Sequence, residues 1–210
     1  MLLNKHNLSI ANLAPKEGSK SYNERYNMHV IRVDKAGTAV TNGHYAVMVS
    51  LPTTAKDADF PAAIPGFTPA KGKTEPFLLH LDDAASIRKA IPKKPGIPIL
   101  QHACVGVDAA GQVALAVTDL DSSQVFTAYK PEGRFPKLES SVPTDEPLLT
   151  ICLSADYLQK LAKAAMDFNA GDTRDMVKLK LYGATKVATM ETTNGEGQKF
   201  FAMLMPVSDY

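Results

Sequence analysis

Acid–base, nucleophilic or metal chemistry in this chain would have to come from five histidines, two cysteines and a short Asp-x-Asp. His6, His29, His44, His80 and His102 show no HxxH or HExxH spacing, and neither Cys104 nor Cys152 has a CxxC partner, so no zinc site is read from them. His29 and His102 fall in alternating apolar runs and read as strand-face residues. The cysteines sit in Ala103-Cys-Val105 and Ile151-Cys-Leu153 and read as small core residues of a reducing compartment rather than as a disulfide. Asp119 and Asp121 flank a strand corner and read as solvated. Gly195-x-Gly197 lacks the third glycine of a dinucleotide loop, and no GxxxxGK[ST] or GxSxG occurs. The expectation is a non-enzyme with no metal and no cofactor.

What remains is charge. Arg88, Lys89, Lys93 and Lys94 gather where a helix should end, and Lys71 and Lys73 precede it. Such a cluster can meet a phosphate backbone without reading sequence, or it can simply complement a helix macrodipole. Lys160 and Lys163 on a later helix are weaker, because Asp156 and Asp167 stand one turn away and can pair with them. The chain of 210 residues has a net charge of only +1, but residues 1–105 carry 13 basic and 8 acidic groups while residues 106–210 carry 10 and 14. There is no Trp and no interleaving of aromatic and basic residues, which argues against stacking on single strands. Hydrophobic residues at 45% and charged residues at 21% describe a folded chain large enough for a full core.

The elements that must position these residues repeat. Residues 1–27 are polar, with a hint of a strand at Leu8-Ser-Ile10. Residues 28–33, 38–41 and 44–49 read as strands of a meander, with Asn42-Gly43 as a tight turn. Residues 51–76 hold five prolines and read as a linker pinned by Phe60 and Phe67. A unit then begins at Phe77-Leu-Leu-His80. Asp82 or Asp83 is expected to cap a helix running to Ile91, with Ala84, Ile87 and Ile91 on its apolar face. Strands at 99–107, 113–118 and 124–129 follow. After a connector at 131–147, residues 148–153 read as a strand and Ser154 as an N-cap. The helix 155–168 has Tyr157, Leu158, Leu161, Ala164, Ala165 and Phe168 inward. Strands at 176–182, 186–191 and 199–205 close the chain. The order βαβββ therefore occurs twice, after a first unit in which no helix is recognised. The turns Asp34-Lys-Ala-Gly37 and Asp108-Ala-Ala-Gly111 echo one another. The domain expectation is an incomplete unit plus linker at 1–70 and a two-unit domain at 71–210.

Four segments resemble the bacterial DNA polymerase III β subunit, the sliding clamp. Val40-Thr-Asn-Gly-His-Tyr-Ala-Val47 is similar to the clamp's ATDGHRLAV, with Asn42 for Asp and Tyr45 for Arg. Ile97-Pro-Ile-Leu100 with Val117-Thr-Asp-Leu-Asp121 resembles LPIL…TDLE. Gly133-Arg-Phe-Pro136…Val142-Pro143 resembles GRFPDYRRVLP, although Lys-Leu-Glu-Ser-Ser replaces its Arg-containing stretch. Phe201-Ala-Met-Leu-Met-Pro-Val207 resembles the closing YVVMPMR. The likeness runs over residues 28–207, in order. It implies an α+β DNA clamp fold of repeated βαβββ units, with helices on one face of antiparallel sheets. It also implies helices that present Arg88, Lys89, Lys93, Lys94, Lys160 and Lys163 to duplex DNA held non-specifically by encirclement. The clamp's peptide pocket would draw here on Thr41, Gly43, His44, Tyr45 and Ala46, on Pro136 and Ser141, and on Met203, Met205, Pro206 and Val207. Methionine suits such a pocket because its flexible thioether adapts to several partners.

The functional expectation is a processivity factor that forms a homo-oligomer around duplex DNA and recruits a DNA polymerase or other clamp-binding peptides. The alternative is a non-encircling clamp-fold interaction module without DNA binding, favoured by the helix missing from the first unit and by the acidic second half. Three recognised units do not divide evenly into clamp domains. The N-terminus has no apolar h-region and no run reaches the ~20 apolar residues of a membrane span, so the expected location is the cytoplasm, away from membranes.

Overall fold

The computed structural model describes residues 1–16, 26, 28–70, 74–93, 95–128, 134–170 and 176–207. They form two compact units, Met1–Val142 and Pro143–Tyr210. The division falls in the second connector and not at residue 70. The reason lies at the N-terminus, where the first repeat is complete. β1 (Leu2–Asn4) leads into α1 (Lys5–Ser9) and a 3-10 turn at Ile10–Leu13. The expected strand at Leu8–Ile10 is therefore helical. Asn4 caps α1 by accepting from the backbone N–H groups of His6 (2.9 Å) and Asn7 (3.1 Å), and the Asn7 side chain accepts from the Asn4 N–H (3.1 Å). This is a capping box with Asn in the place of Glu or Gln, closing a helix too short for a 3.6-residue pattern to register.

The first repeat continues through β2 (Val30–Asp34), β3 (Gly37–Thr41) and β4 (Ala46–Ser50). The Pro-rich stretch contributes β5 (Phe67–Pro69) and buries Phe60, Ile64 and Phe67 against Leu2, Cys104 and Ala114, so it is part of the packing rather than a surface linker. The second repeat is β6 (Phe77–His80), α2 (Leu81–Ala90), β7 (His102–Asp108), β8 (Val113–Thr118) and β9 (Ser123–Thr127). The cap of α2 is His80, whose Nδ1 accepts from the Asp82 N–H at 3.3 Å. Asp82 and Asp83 occupy the first turn instead, where their charge still favours the helix N-terminus. Ala84, Ile87 and Ile91 are buried as the spacing requires.

Each repeat gives its first strand to the other. β1 pairs antiparallel with β7, and β6 pairs antiparallel with β2. The sheets are thus β1-β7-β8-β9, with β5 on the same edge of β7, and β6-β2-β3-β4. One residue in from each helix cap, the cross-strand pairs are Leu3 with Ala103 and Leu79 with Ile31, and all four side chains are fully buried. They share one core with Leu8 of α1, Ile87 of α2, Val105 and Leu115. α1 packs on α2. Asn7, fully buried, donates from Nδ2 to the carbonyls of Val49 (3.2 Å) and Ser50 (2.9 Å), fastening α1 to the end of β4.

The second unit holds one repeat. α3 (Ala155–Phe168) is capped by Ser154, which accepts from the Tyr157 N–H, and is followed by β10 (Lys178–Lys180), β11 (Ala188–Thr193) and β12 (Lys199–Leu204) in the order β10-β11-β12. Asn194 turns the last hairpin, accepting from the N–H groups of Glu196 and Gln198. Tyr157 and Ala164 are exposed; the inward side chains of α3 are Leu158, Leu161, Ala162, Ala165 and Phe168. Residues 148–153, expected as a strand, form none. No helix among the described residues is long and apolar enough to cross a membrane.

Gly106 lies where β5 crosses β7. A Cβ there would stand 2.2 Å from the Thr68 carbonyl oxygen and 2.5 Å from Phe67 Cζ. Gly106→Ala is therefore expected to displace β5 and destabilise the protein by about 1–3 kcal/mol, measured by urea unfolding. An unchanged midpoint would mean that β5 yields freely.

Candidate nucleic-acid interface and peptide groove

The exposed side of α2 carries Lys89 and, just beyond its end, Lys93; Arg88 is half-buried beside them. Lys94, Lys71 and Lys73 lie outside the described residues. None of Arg88, Lys89 and Lys93 takes part in an ion pair among the described residues. Lys5 of α1, which sequence reasoning missed, joins them by donating from Nζ to the Pro92 carbonyl at 3.2 Å. Its place was not legible because α1 was not. An open cavity of about 480 Å3 runs between the α1 turn and α2, with Lys16, His29, His80, Asp82 and Arg88 on its walls. His29 and His80 meet there edge to face, with ring centroids 6.3 Å apart. On α3, Lys160 is paired with Asp156 at 2.7 Å and lies over the Tyr157 ring, so its charge is already answered within one turn. Lys163 is exposed.

The segment from Thr41 to Tyr45 is a built corner. Thr41, buried, donates from Oγ1 to the Tyr45 carbonyl (2.6 Å) and accepts from the Gly43 N–H (3.1 Å). Asn42 Oδ1 accepts from the N–H groups of His44 (2.9 Å) and Tyr45 (3.0 Å). Gly43 adopts φ +86°, a left-handed conformation in which a side chain is strained. His44, Tyr45 and Ala46 are exposed around it, and the Tyr45 hydroxyl donates to the Leu13 carbonyl. The second repeat builds the same corner. Thr118 Oγ1 donates to Ser122 O (2.8 Å) and accepts from the Leu120 N–H (3.0 Å), while Asp119 accepts from the Ser122 N–H (2.7 Å). These hydrogen bonds from Ser122 hold the Asp119 carboxyl below the usual range. Here the left-handed residue is Leu120, at φ +79°.

Gly43 and Pro136 come together. They line an open groove of about 570 Å3 with Tyr26, Met28, Phe135 and Ser140. Ser141 follows on the exposed end of a 3-10 turn at Leu138–Ser141. Arg32 on β2 holds this connector. Its guanidinium pairs with Asp34 and Glu139 and lies 5.5 Å from the Phe135 ring centroid. The hydrogen bond from Arg32 keeps the Glu139 carboxyl below its ordinary value. In the sequence, Arg32 was visible only as the polar position of an alternating strand, and its partner is 107 residues away.

Met203, Met205, Pro206 and Val207 belong to the second unit. Within β12, Phe200, Ala202 and Leu204 face α3, with Phe168 and Phe200 ring centroids 5.7 Å apart. Phe201 and Met203 point to the other face, and Met203 and Met205 are 66% and 62% exposed. The methionines are therefore not core filling. Cys104 is buried, and burial pushes its thiol up to about 11. Among the described residues no group of His, Cys, Asp and Glu is arranged to hold a metal ion.

No family model matches this sequence, and no curated protein does. The fold does have solved counterparts. The DNA polymerase III β chain of Streptococcus pneumoniae matches 99% of this chain with TM-score 0.63 at 14% identity, using 49% of its own length. The Bacillus subtilis sliding clamp matches 98% at TM-score 0.61 and 13% identity over 48% of its length. The Caulobacter crescentus β sliding clamp, solved with polyethylene glycol at its putative β-motif tethering region, matches 100% at TM-score 0.58 and 13% identity over 50% of its length. The architecture is the α+β sliding-clamp fold. The chain spans about half the length of the clamps it matches.

Two predictions follow from the corners and the connector. Leu120→Asn relieves a left-handed leucine and is expected to stabilise the protein by up to about 1 kcal/mol, read from the thermal or urea midpoint; a loss of stability would mean that the Leu120 side chain has a packing role. Because the Glu139 carboxyl is lowered on folding, its tether to Arg32 is complete above about pH 5 and is lost as pH falls through the lowered value. Arg32→Met is expected to raise the Glu139 titration midpoint in side-chain NMR and to speed tryptic cleavage after Lys137. An unmoved midpoint would remove Arg32 as the cause.

Proposed function

We propose that this protein is a clamp-like, non-enzymatic processivity factor that forms a homo-oligomer around duplex DNA and recruits partner peptides. The observation that carries the reading is the fold itself, with α2 presenting Lys89 and Lys93 outside any ion pair among the described residues. Encirclement needs few strong contacts, so a near-neutral chain is compatible with it, and cations spaced along a helix suit phosphates without base readout. Arg88, Lys89 and Lys93 are the DNA-facing residues in this reading, with Lys5 added. Lys94 keeps its place from the sequence alone. Lys163 contributes more than Lys160, whose charge is internally paired.

Partner peptides, such as that of a polymerase, dock through apolar anchors. In the first unit the corner Thr41, Gly43, His44, Tyr45 and Ala46 with Pro136 and Ser141 offers a rigid lip beside an open groove. In the second, Met203, Met205, Pro206 and Val207 offer an adaptable apolar surface. The protein works in the cytoplasm, where replication partners are found.

A second reading, a clamp-fold interaction module that does not encircle DNA, is favoured by the Lys160–Asp156 pair, which leaves α3 with little free positive charge. One experiment separates the two. Protein loaded on nicked circular DNA is expected to remain through gel filtration and to be lost after linearisation, with Arg88→Glu/Lys89→Glu/Lys93→Glu weakening retention and flattening its salt dependence. Equal retention on both DNA forms, or none on either, would overturn encirclement. If peptide capture then survived the charge reversal and was abolished by Met205→Ala with His44→Ala, the module reading would stand.

A further inference from the structure

The second unit holds one βαβββ repeat among the described residues, where the first holds two. In the first unit no repeat completes its own sheet: the strand before each helix pairs with the first strand after the helix of the other repeat. The register is the same in both exchanges. The helix-cap residue pairs with the first residue of the receiving strand, Asn4 with His102 and His80 with Val30. The next pair inward is apolar and fully buried.

The single repeat of the second unit carries both halves of that device. Residues 148–153, Leu-Leu-Thr-Ile-Cys-Leu, precede α3 as β1 precedes α1 and β6 precedes α2, yet they enter no sheet. The Cys152 carbonyl accepts from the Val207 N–H at 2.9 Å. The receiving strand is also present. Among the described residues, β10 is the edge of its sheet and pairs with β11. Transferring the register sets the Ser154 cap opposite Lys178, Leu153 opposite Leu179 and Ile151 opposite Leu181. Leu179 pairs with Met190 across β10 and β11, and Met190 is buried, so Leu179 lies on the α3 side of the sheet. Yet Leu179 and Leu181 are 46% and 40% exposed, and Leu148 is fully so. A register shifted by one residue would put these leucines opposite Cys152 and Thr150 and turn the apolar set outward.

We propose that a second copy of this chain completes the unit. Residues 148–153 of each copy pair antiparallel with β10 of the other, giving an isologous two-fold interface and two four-stranded sheets of the order seen twice in the first unit. A second copy is the occupant because the exchange is reciprocal and the repeat is self-complementary. It has one strand to give, one edge to receive, and leucine or isoleucine at the matched inward positions of both. The arrangement also covers an edge strand that is otherwise open to indiscriminate pairing. The interface rests on packing alone, so it holds or fails separately from DNA encirclement.

The test uses the full chain with Cys152→Ser and the buried Cys104 left in place. Directly opposed residues of an antiparallel pair lie within disulfide reach. Leu153→Cys with Leu179→Cys is expected to give a disulfide-linked dimer on mild oxidation, at several-fold higher yield than either single variant. The pair Leu153→Cys with Lys178→Cys, on opposite faces, is expected to give no such gain. Light scattering of the unmodified protein is expected to give a mass of at least two chains, and Leu179→Asp/Leu181→Asp half that mass or less, with the helical circular dichroism of the wild type retained. A within-chain disulfide, equal yields for the two pairs, or a wild-type mass of one chain at all concentrations would overturn the proposal. If the aspartate variant does not fold, the cross-linking yields and the wild-type mass decide.

Discussion

Everything in the first unit depends on the exchange of first strands between two like repeats. A βαβββ repeat cannot bury its helix and its inner sheet face by itself. Giving β1 to β7 and β6 to β2 ties the two sheets into one core, and Leu3, Ala103, Leu79 and Ile31 are buried at the crossing points. The helices then share one apolar volume on the inside and leave their polar sides free. That freedom is what makes Lys89 and Lys93 available: α2 is held by Ala84, Ile87 and Ile91, and nothing in its packing needs the opposite side. The corners are available for the same reason. Thr41 and Thr118 tie their turns internally, and the Tyr45 hydroxyl adds a bond from the first corner to the Leu13 carbonyl.

Much of this was legible in the sequence because it was periodic. The strands β2 to β4 and β7 to β9, the helices α2 and α3, and the Asn42-Gly43 turn follow from alternation, helical spacing and turn chemistry. The first repeat's helix was not legible, because α1 has five residues and its capping box is written with two asparagines. The domain division moved with it, from residue 70 to Val142. His80 as a cap was hidden behind two better candidates, Asp82 and Asp83. The strand expected at residues 148–153 is absent, because a strand also needs an edge to join and that information is not local.

The candidate site divides along the same line. Positions set by local chemistry, the Thr41–Tyr45 corner and Pro136 in the connector, were readable from motif and resemblance. Arg32 and Lys5 were not, because their roles come from partners far away in sequence: Glu139 and Phe135 for one, the Pro92 carbonyl for the other. Met203 and Met205 are exposed because they flank the buried Leu204 in the alternation at the end of β12.

An edge strand that is covered only in an assembly has a direct signature in hydrogen exchange. Amide hydrogen exchange at residues 178–181 should be followed as a function of protein concentration, with β6 (Phe77–His80) as the internal reference for an exchanged pair. Protection at β10 that matches β6 at high concentration and is lost on dilution is the predicted result. Fast exchange at β10 at every concentration, beside a protected β6, would contradict it.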